Sequence, residues 1–177
     1  MKEEFTISIF SEDKVGLLSR IVTIFTRRHI NIESLITSES SMPGIYRFII
    51  VVRVTEKKVK HLVKQIEKQV DVLKAFYYDC SEIVHQEVAL YKVPTAIFLK
   101  GNHVEEIVRA HNARILDIEE DYIVIEKTGH KNATEALLRE LEQIGIYEFT
   151  RSGRVAITKD HEPLNEYLKQ LEAEEMG

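Results

Sequence analysis

The sequence predicts an α+β protein of two successive units. Each runs strand, helix, strand, strand, helix, strand, with both helices on one face of an antiparallel sheet. Three observations predict it. Phe5, Ile7 and Ile9 alternate with Thr6 and Ser8, after which Leu17, Leu18, Ile21, Val22, Ile24 and Phe25 recur at helical spacing. The same exchange of periods continues in the split βαβ order to about residue 80. A weaker copy of that order follows to about residue 160, so the 177 residues divide into two small domains rather than one large one.

In the first unit, a strand over Phe5 to Phe10 leads through Gly16 into the first helix, which Arg27, Arg28 and His29 close with positive charge. Ile30 to Leu35 alternates again, and Ser38 to Gly44 is a polar turn ending in Pro43-Gly44, the signature of a hairpin loop. Tyr46 to Val54 is continuously apolar at its centre, as expected for an interior strand. Val59, Leu62, Val63, Ile66 and Val70 mark the second helix, with a lysine-rich wet side, and Val70 to Tyr78 closes the unit as a strand. The sheet face without helices carries apolar side chains, and self-association is expected to cover it.

In the second unit Glu87 to Val93 is a strand and Val104, Glu105, Ile107 and Val108 a short helix. Arg114 to Ile118 and Tyr122 to Glu126 form a hairpin through Glu119, Glu120 and Asp121. A second helix uses Ala133, Leu137, Leu138, Leu141 and Ile144 and ends near Gly145. Strands over Ile146 to Phe149 and Arg154 to Thr158 flank Arg151-Ser152-Gly153. Beyond Pro163, the helical spacing of Leu164, Tyr167, Leu168 and Leu171 predicts a tail helix. The expected domains are therefore 1–80, 81–160 and a helical tail over 161–177.

Composition narrows the function. With 44% hydrophobic and 30% charged residues, no signal-peptide pattern and no bilayer-length apolar run, a soluble cytoplasmic protein is expected. A formal charge of −5, from 24 basic and 29 acidic residues, gives no electrostatic footprint for nucleic acid. Tyr46 and Phe48 lack the glycine-rich basic motif of an RNA-stacking strand. The single Cys80 cannot form an internal disulfide and reads as a small packing residue rather than a nucleophile. No CxxC pair, HExxH, GxSxG, GxxxxGK or GxGxxG occurs in the sequence, which argues against an independent enzyme and a dedicated metal site.

The join at Gly16 carries the one binding signal. A helix start exposes unpaired N–H groups and partial positive charge that suit a carboxylate, and glycine lets a ligand approach. Asp13 is placed to hold an ammonium group, so the pair describes an amino-acid site. The plainer reading stays open: Asp13 caps the helix, Gly16 eases a tight turn and nothing binds.

Five segments carry a family resemblance: Gly16-Leu17-Leu18-Ser19-Arg20, Asn31-Ile32-Glu33-Ser34-Leu35, Pro43-Gly44-Ile45, Val70-Asp71-Val72-Leu73 and Arg151-Ser152-Gly153-Arg154-Val155. By these the chain resembles the small regulatory subunits of acetolactate synthase, also called acetohydroxyacid synthase, over nearly its whole length. The resemblance implies two ferredoxin-like domains, an N-terminal ACT domain and a C-terminal ACT-like one. It implies a homodimer in which the loop of one chain (Asp13, Gly16, Leu17, Leu18 and Ser19) faces Asn31 and Ile32 of the other across a branched-chain amino acid, usually valine. N–H groups at Gly16 to Leu18 suit the effector carboxylate, Asp13 and the Asn31 oxygen its ammonium, and apolar neighbours its isopropyl group. It also implies a chain without cofactors that activates a catalytic subunit using thiamine diphosphate, magnesium and FAD and confers feedback inhibition on it. Three departures stand out: Asp13 occupies a position commonly Asn in the family, which bears on effector affinity and identity, Val15 stands where Pro or another residue is often found, and Thr95 to His103 is a short lead into the second unit's first helix. A stand-alone ACT sensor of amino acids and a small ferredoxin-like enzyme such as an acylphosphatase are the alternatives, the latter without its phosphate-binding loop here.

Overall fold

A computed structural model describes residues 1–98 and 103–160 together with Leu164, Glu166, Tyr167 and Lys169. The chain separates into two compact units, residues 1–84 with 154–177, and residues 85–153.

The first unit follows the expected order: β1 (Glu3–Glu12), α1 (Leu17–Arg27), β2 (Ile32–Glu39), β3 (Ile45–Val54), α2 (Glu56–Ile66) and β4 (Val72–Tyr78). Its antiparallel sheet is ordered β2-β3-β1-β4, which puts the most apolar strand inside. Phe5, Ile7 and Ile9 pair with Val52, Ile50 and Phe48, so one side of both strands meets Leu17, Ile21 and Phe25 of α1 and Leu62 and Ile66 of α2. Full burial of each such side chain stabilises by about 1.5–3 kcal/mol. The pattern overreached at Val70. Helix α2 stops at Ile66, and Val70 is 92% exposed in the connection to β4. Cys80 also departs from expectation. It is exposed in the turn after β4, and partial desolvation of its sulfur and the neighbouring Glu4 carboxylate push its thiol up.

In the second unit, β5 (Ile83–Pro94), α3 (Thr95–Phe98), α4 (His103–Ala110), β6 (Arg114–Ile118), β7 (Tyr122–Gly129), α5 (Lys131–Ile144) and β8 (Glu148–Arg151) repeat the order, with α3 added. The strands run β6-β7-β5-β8. Tyr91, Ile125, Leu137 and Leu141 are wholly buried together. Tyr91 donates its hydroxyl to the Thr134 carbonyl at 2.6 Å, and burial pushes its phenol up to about 12. Strand β8 begins two residues later than the predicted strand over Ile146 to Phe149.

After Gly153 the chain returns to the first unit. Strand β9 (Val155–Thr158) pairs β5, whose first two residues, Ile83 and Val84, also belong there. Ala156 and Ile83 join Ile49, Ile36 and Tyr78 in a cluster distinct from the helix-covered core. Arg154 is buried: its backbone N–H donates to Ser34 Oγ at 2.9 Å, and its guanidinium donates to Thr6 Oγ1 at 2.9 Å and Glu4 Oε1 at 2.5 Å. The helix-free face of the first sheet, assigned by sequence to self-association, is thus partly covered by the same chain. The contact division consequently falls at Val84 and Gly153, whereas the sequence pattern alone places it at 80 and 160. The four described tail residues are helical. The rest of the expected tail, and residues 99–102 of the lead into α4, lie outside the described residues.

Candidate functional site

Backbone bonds fix the turn between β1 and α1. The Glu12 N–H donates to the Asp71 carbonyl at 3.0 Å and the Asp13 N–H to Gly44 at 3.3 Å, joining the end of β1 to the start of β4 and to the hairpin tip. Gly16 caps α1 with φ 85° and ψ −7°, a left-handed conformation that side chains disfavour. A Cβ there would meet nothing within 4 Å, so the requirement for glycine is torsional and the space beside it is open.

The donors differ in detail from expectation. The Leu17 N–H is engaged by the Lys14 carbonyl at 3.2 Å, and Leu17 itself is buried in the core. Among the described residues no partner is found for the N–H groups of Leu18 and Ser19, which with Gly16 form the open end of the helix. The partial positive charge of α1 is unopposed by any acidic residue in its first turn. Leu18, Ser19 and Asp13 are exposed. Asp13 makes no cap, because α1 has no side-chain cap hydrogen bond. The alternative in which Asp13 serves only as a cap therefore loses its geometry. Arg20 pairs with Asp71 beside this turn, an ion pair that the sequence could not reveal because the partners are 51 positions apart.

Asn31 and Ile32 lie elsewhere. His29, at φ 52°, reverses the chain after α1, and β2 then starts with Ile32 beside Val52, which in turn faces Phe5. The Gly16 turn follows Glu12, at the other end of β1. Seven strand residues separate the two ends, roughly 23 Å. Asn31 is exposed and its Nδ2 donates to Glu33 Oε1 at 3.4 Å, leaving its side-chain oxygen available. One chain therefore holds the two halves of the predicted site apart. Asp13, Gly16, Leu17, Leu18 and Ser19 form one cluster, and Asn31 with Ile32 forms another.

Other charged groups in the first unit are engaged structurally. Burial acts to raise Glu4, but its hydrogen bond to Arg154, the Arg154 charge and further hydrogen bonds from Cys80 and Arg53 outweigh it and hold the carboxyl below its usual range. In the second unit Arg151 spans Glu87 at 3.3 Å and Glu135 at 3.4 Å. No group of three or more metal-ligating side chains converges among the described residues, and no helix among them is long and apolar enough to cross a membrane.

Comparison with known proteins matches both units. Residues 7–74 match the family described as AHAS small subunit-like ACT domain, and residues 86–160 match that described as small subunit of acetolactate synthase. The acetolactate synthase small subunit of Bacillus subtilis is 36% identical over 90% of this chain and 91% of its own length. That of Mycolicibacterium smegmatis is 34% identical over 87% of this chain and 90% of its own. The crystal structure of the acetolactate synthase small subunit from Thermotoga maritima superposes with a TM-score of 0.81 at 29% identity, covering 90% of this chain and 99% of that one.

Proposed function

The chain belongs to the family of acetolactate synthase small subunits, and from that premise we propose that it activates the catalytic subunit and makes it sensitive to feedback inhibition by valine or a related branched-chain amino acid. As a member of the family it is a regulatory subunit, with a catalytic large subunit as the implied partner. The catalytic chemistry, with thiamine diphosphate, magnesium and FAD, resides in that partner.

The observation that carries the effector reading is the separation of the two predicted half-sites within one chain. Gly16 to Ser19 offer N–H groups and helix charge to a carboxylate at one end of the sheet, while Asn31 offers an oxygen to an ammonium at the other. A two-fold pair of chains brings opposite ends together, because in a symmetric interface each half of one copy faces the other half of its mate. The dimer then carries two equivalent effector sites. Inhibition follows if valine binds the two states of the holoenzyme with different affinity.

Mixing the purified chain with its cognate catalytic subunit, with and without valine, tests the reading. The chain alone should be inactive, the mixture more active than the catalytic subunit, and valine should reverse the gain. Turnover by the purified chain alone, or a catalytic subunit indifferent to its addition, overturns it.

A further inference from the structure

Helix α2 buries Val59, Leu62, Val63 and Ile66, which leaves Lys57, His61 and Lys64 at i, i+4 and i+7 along its exposed side. Lys68, also exposed, follows in the turn after Ile66. Residues 56–68 hold five lysines against two glutamates, in a chain whose formal charge is −5. Both glutamates are taken: Glu56 pairs with Lys60 at 2.5 Å, and Glu67 turns to Lys74 of β4 at 2.7 Å. Among the described residues no hydrogen bond or ion pair engages the side chains of Lys57, Lys58, Lys64 or Lys68. Arg28, at the end of α1, donates to Gln65 Oε1 at 2.5 Å and sets a further cation at the edge of this face. Helix stability does not explain the placement. Lys57 and Lys58 stand in the first turn, where the helix end is itself positive, and Lys64 repels Lys60 and Lys68, each four residues away. An element that gives up stability in this way is organised for something outside itself. Between the lysines lies a shallow depression of about 370 Å³, lined by Glu56, Lys57, Lys60, His61 and Lys64, with room for a carboxylate side chain.

We infer that the exposed face of α2 is the surface on which an acidic face of the catalytic subunit docks. The inference rests on the functional reading above and names where on this chain the partner is met. Charge complementarity selects that partner. A nucleic acid meets a chain of net negative charge with no Phe, Tyr or Trp on this face to stack its bases, and a membrane surface finds no exposed apolar residue there to insert. An acidic protein surface needs neither, because unpaired lysines steer its approach and then exchange water for carboxylates. Lys57 and Lys64 lie about 10 Å apart along the helix axis, so they engage separate carboxylates. None of Lys57, His61, Lys64 and Lys68 belongs to either predicted effector half-site, and docking here leaves Gly16 and Asn31 free.

Stopped-flow mixing of the full-length chain with its cognate catalytic subunit tests the inference. The triple variant Lys57→Glu, Lys64→Glu, Lys68→Glu should keep its helix signal and unfolding midpoint, because the three side chains are exposed and unpaired. It should nevertheless associate about tenfold more slowly at low ionic strength. Raising the salt to about 1 M, where the screening length is about 3 Å, should bring the two rates together. Arg139→Glu, a single reversal on the exposed side of α5, should slow association less than Lys64→Glu does. Equal slowing by the two assigns the effect to net charge and overturns the inference, as does a triple variant that associates at the unaltered rate. If the triple variant unfolds, Lys64→Gln against Arg139→Gln decides by the same comparison. An unaltered chain that fails to bind the catalytic subunit overturns the functional reading itself. One that binds it regardless of these lysines, while they capture single-stranded RNA or phosphatidylserine vesicles, overturns the docking surface alone.

Discussion

At Gly16 the constraint is one of torsion, and substitutions there separate folding from binding. Gly16→Ala places a Cβ in open space at φ 85° and should cost about 1–2 kcal/mol in a denaturant titration. Gly16→Asp should cost less, because aspartate tolerates the left-handed region. It sets a carboxylate against the effector's, so the variant should fold and activate but lose valine sensitivity. Asn31→Ala should do the same by removing an ammonium partner, at a cost to binding of about 1–3 kcal/mol. The join at Gly16 was legible because a change of period is local. The engagement of the Leu17 N–H by Lys14 was not, since nothing in residue identity sets a hydrogen-bond angle. Arg154 was also hidden: it appeared only within a motif, and its partners Glu4 and Thr6 are about 150 positions away. Glu4 has a folded value below its unfolded one. Its pairing stabilises fully above the ordinary carboxylate range and ceases to do so as pH falls through the folded value. Arg154→Met should therefore lower stability by about 1–3 kcal/mol at pH 7, and the gap to the unaltered chain should narrow steadily in melts taken from pH 7 to pH 3.

Elements whose apolar residues share one stripe were readable without coordinates. Helices α1, α2 and α5 bury the centre of each nominated stripe, Leu17, Ile21, Ile24 and Phe25, then Val59, Leu62, Val63 and Ile66, then Leu137 and Leu141, while Leu18 is exposed and Val22, Ala133, Leu138 and Ile144 are half-buried. Thr134 in α5 was not nominated, a polar residue buried through its hydroxyl bond to the Lys131 carbonyl at 2.9 Å. Ends were less readable. The apolar rhythm runs on to Val70 although the helix has stopped, and α3, with four residues, is too short to show a period. Because each unit has its own core, Leu62→Ala in α2 and Leu137→Ala in α5 should each cost about 2–5 kcal/mol. Their effects should add in the double variant to within about 0.5 kcal/mol. A much larger deviation, measured by denaturant unfolding, means that the two cores do not act independently.

For the whole molecule, the return of the chain after Gly153 changes what a fragment can do. A fragment ending near Asp79 contains every strand and helix of the first sheet and should dimerise and bind valine, yet inhibit the catalytic subunit less completely than the intact chain. It lacks Ile83, Arg154 and Ala156, so Ile49 and Thr6 lose their cover and Glu4 its buried partner. Its melting temperature should fall well below that of the first transition of the full chain. A fragment that stays monomeric yet binds valine with undiminished affinity places the whole site within one subunit. The same arrangement fixes an order of events on the ribosome. The first unit is begun by residues 1–84 but cannot be completed until Arg154 and β9 emerge, after the whole of 85–153 has been made. At about 5–20 residues per second, that is an interval of roughly 3–14 seconds. During synthesis the second unit, although later in the chain, is the first to have all its residues available. The nascent first sheet meanwhile presents an uncovered face to chaperones and to neighbouring chains emerging on the same messenger.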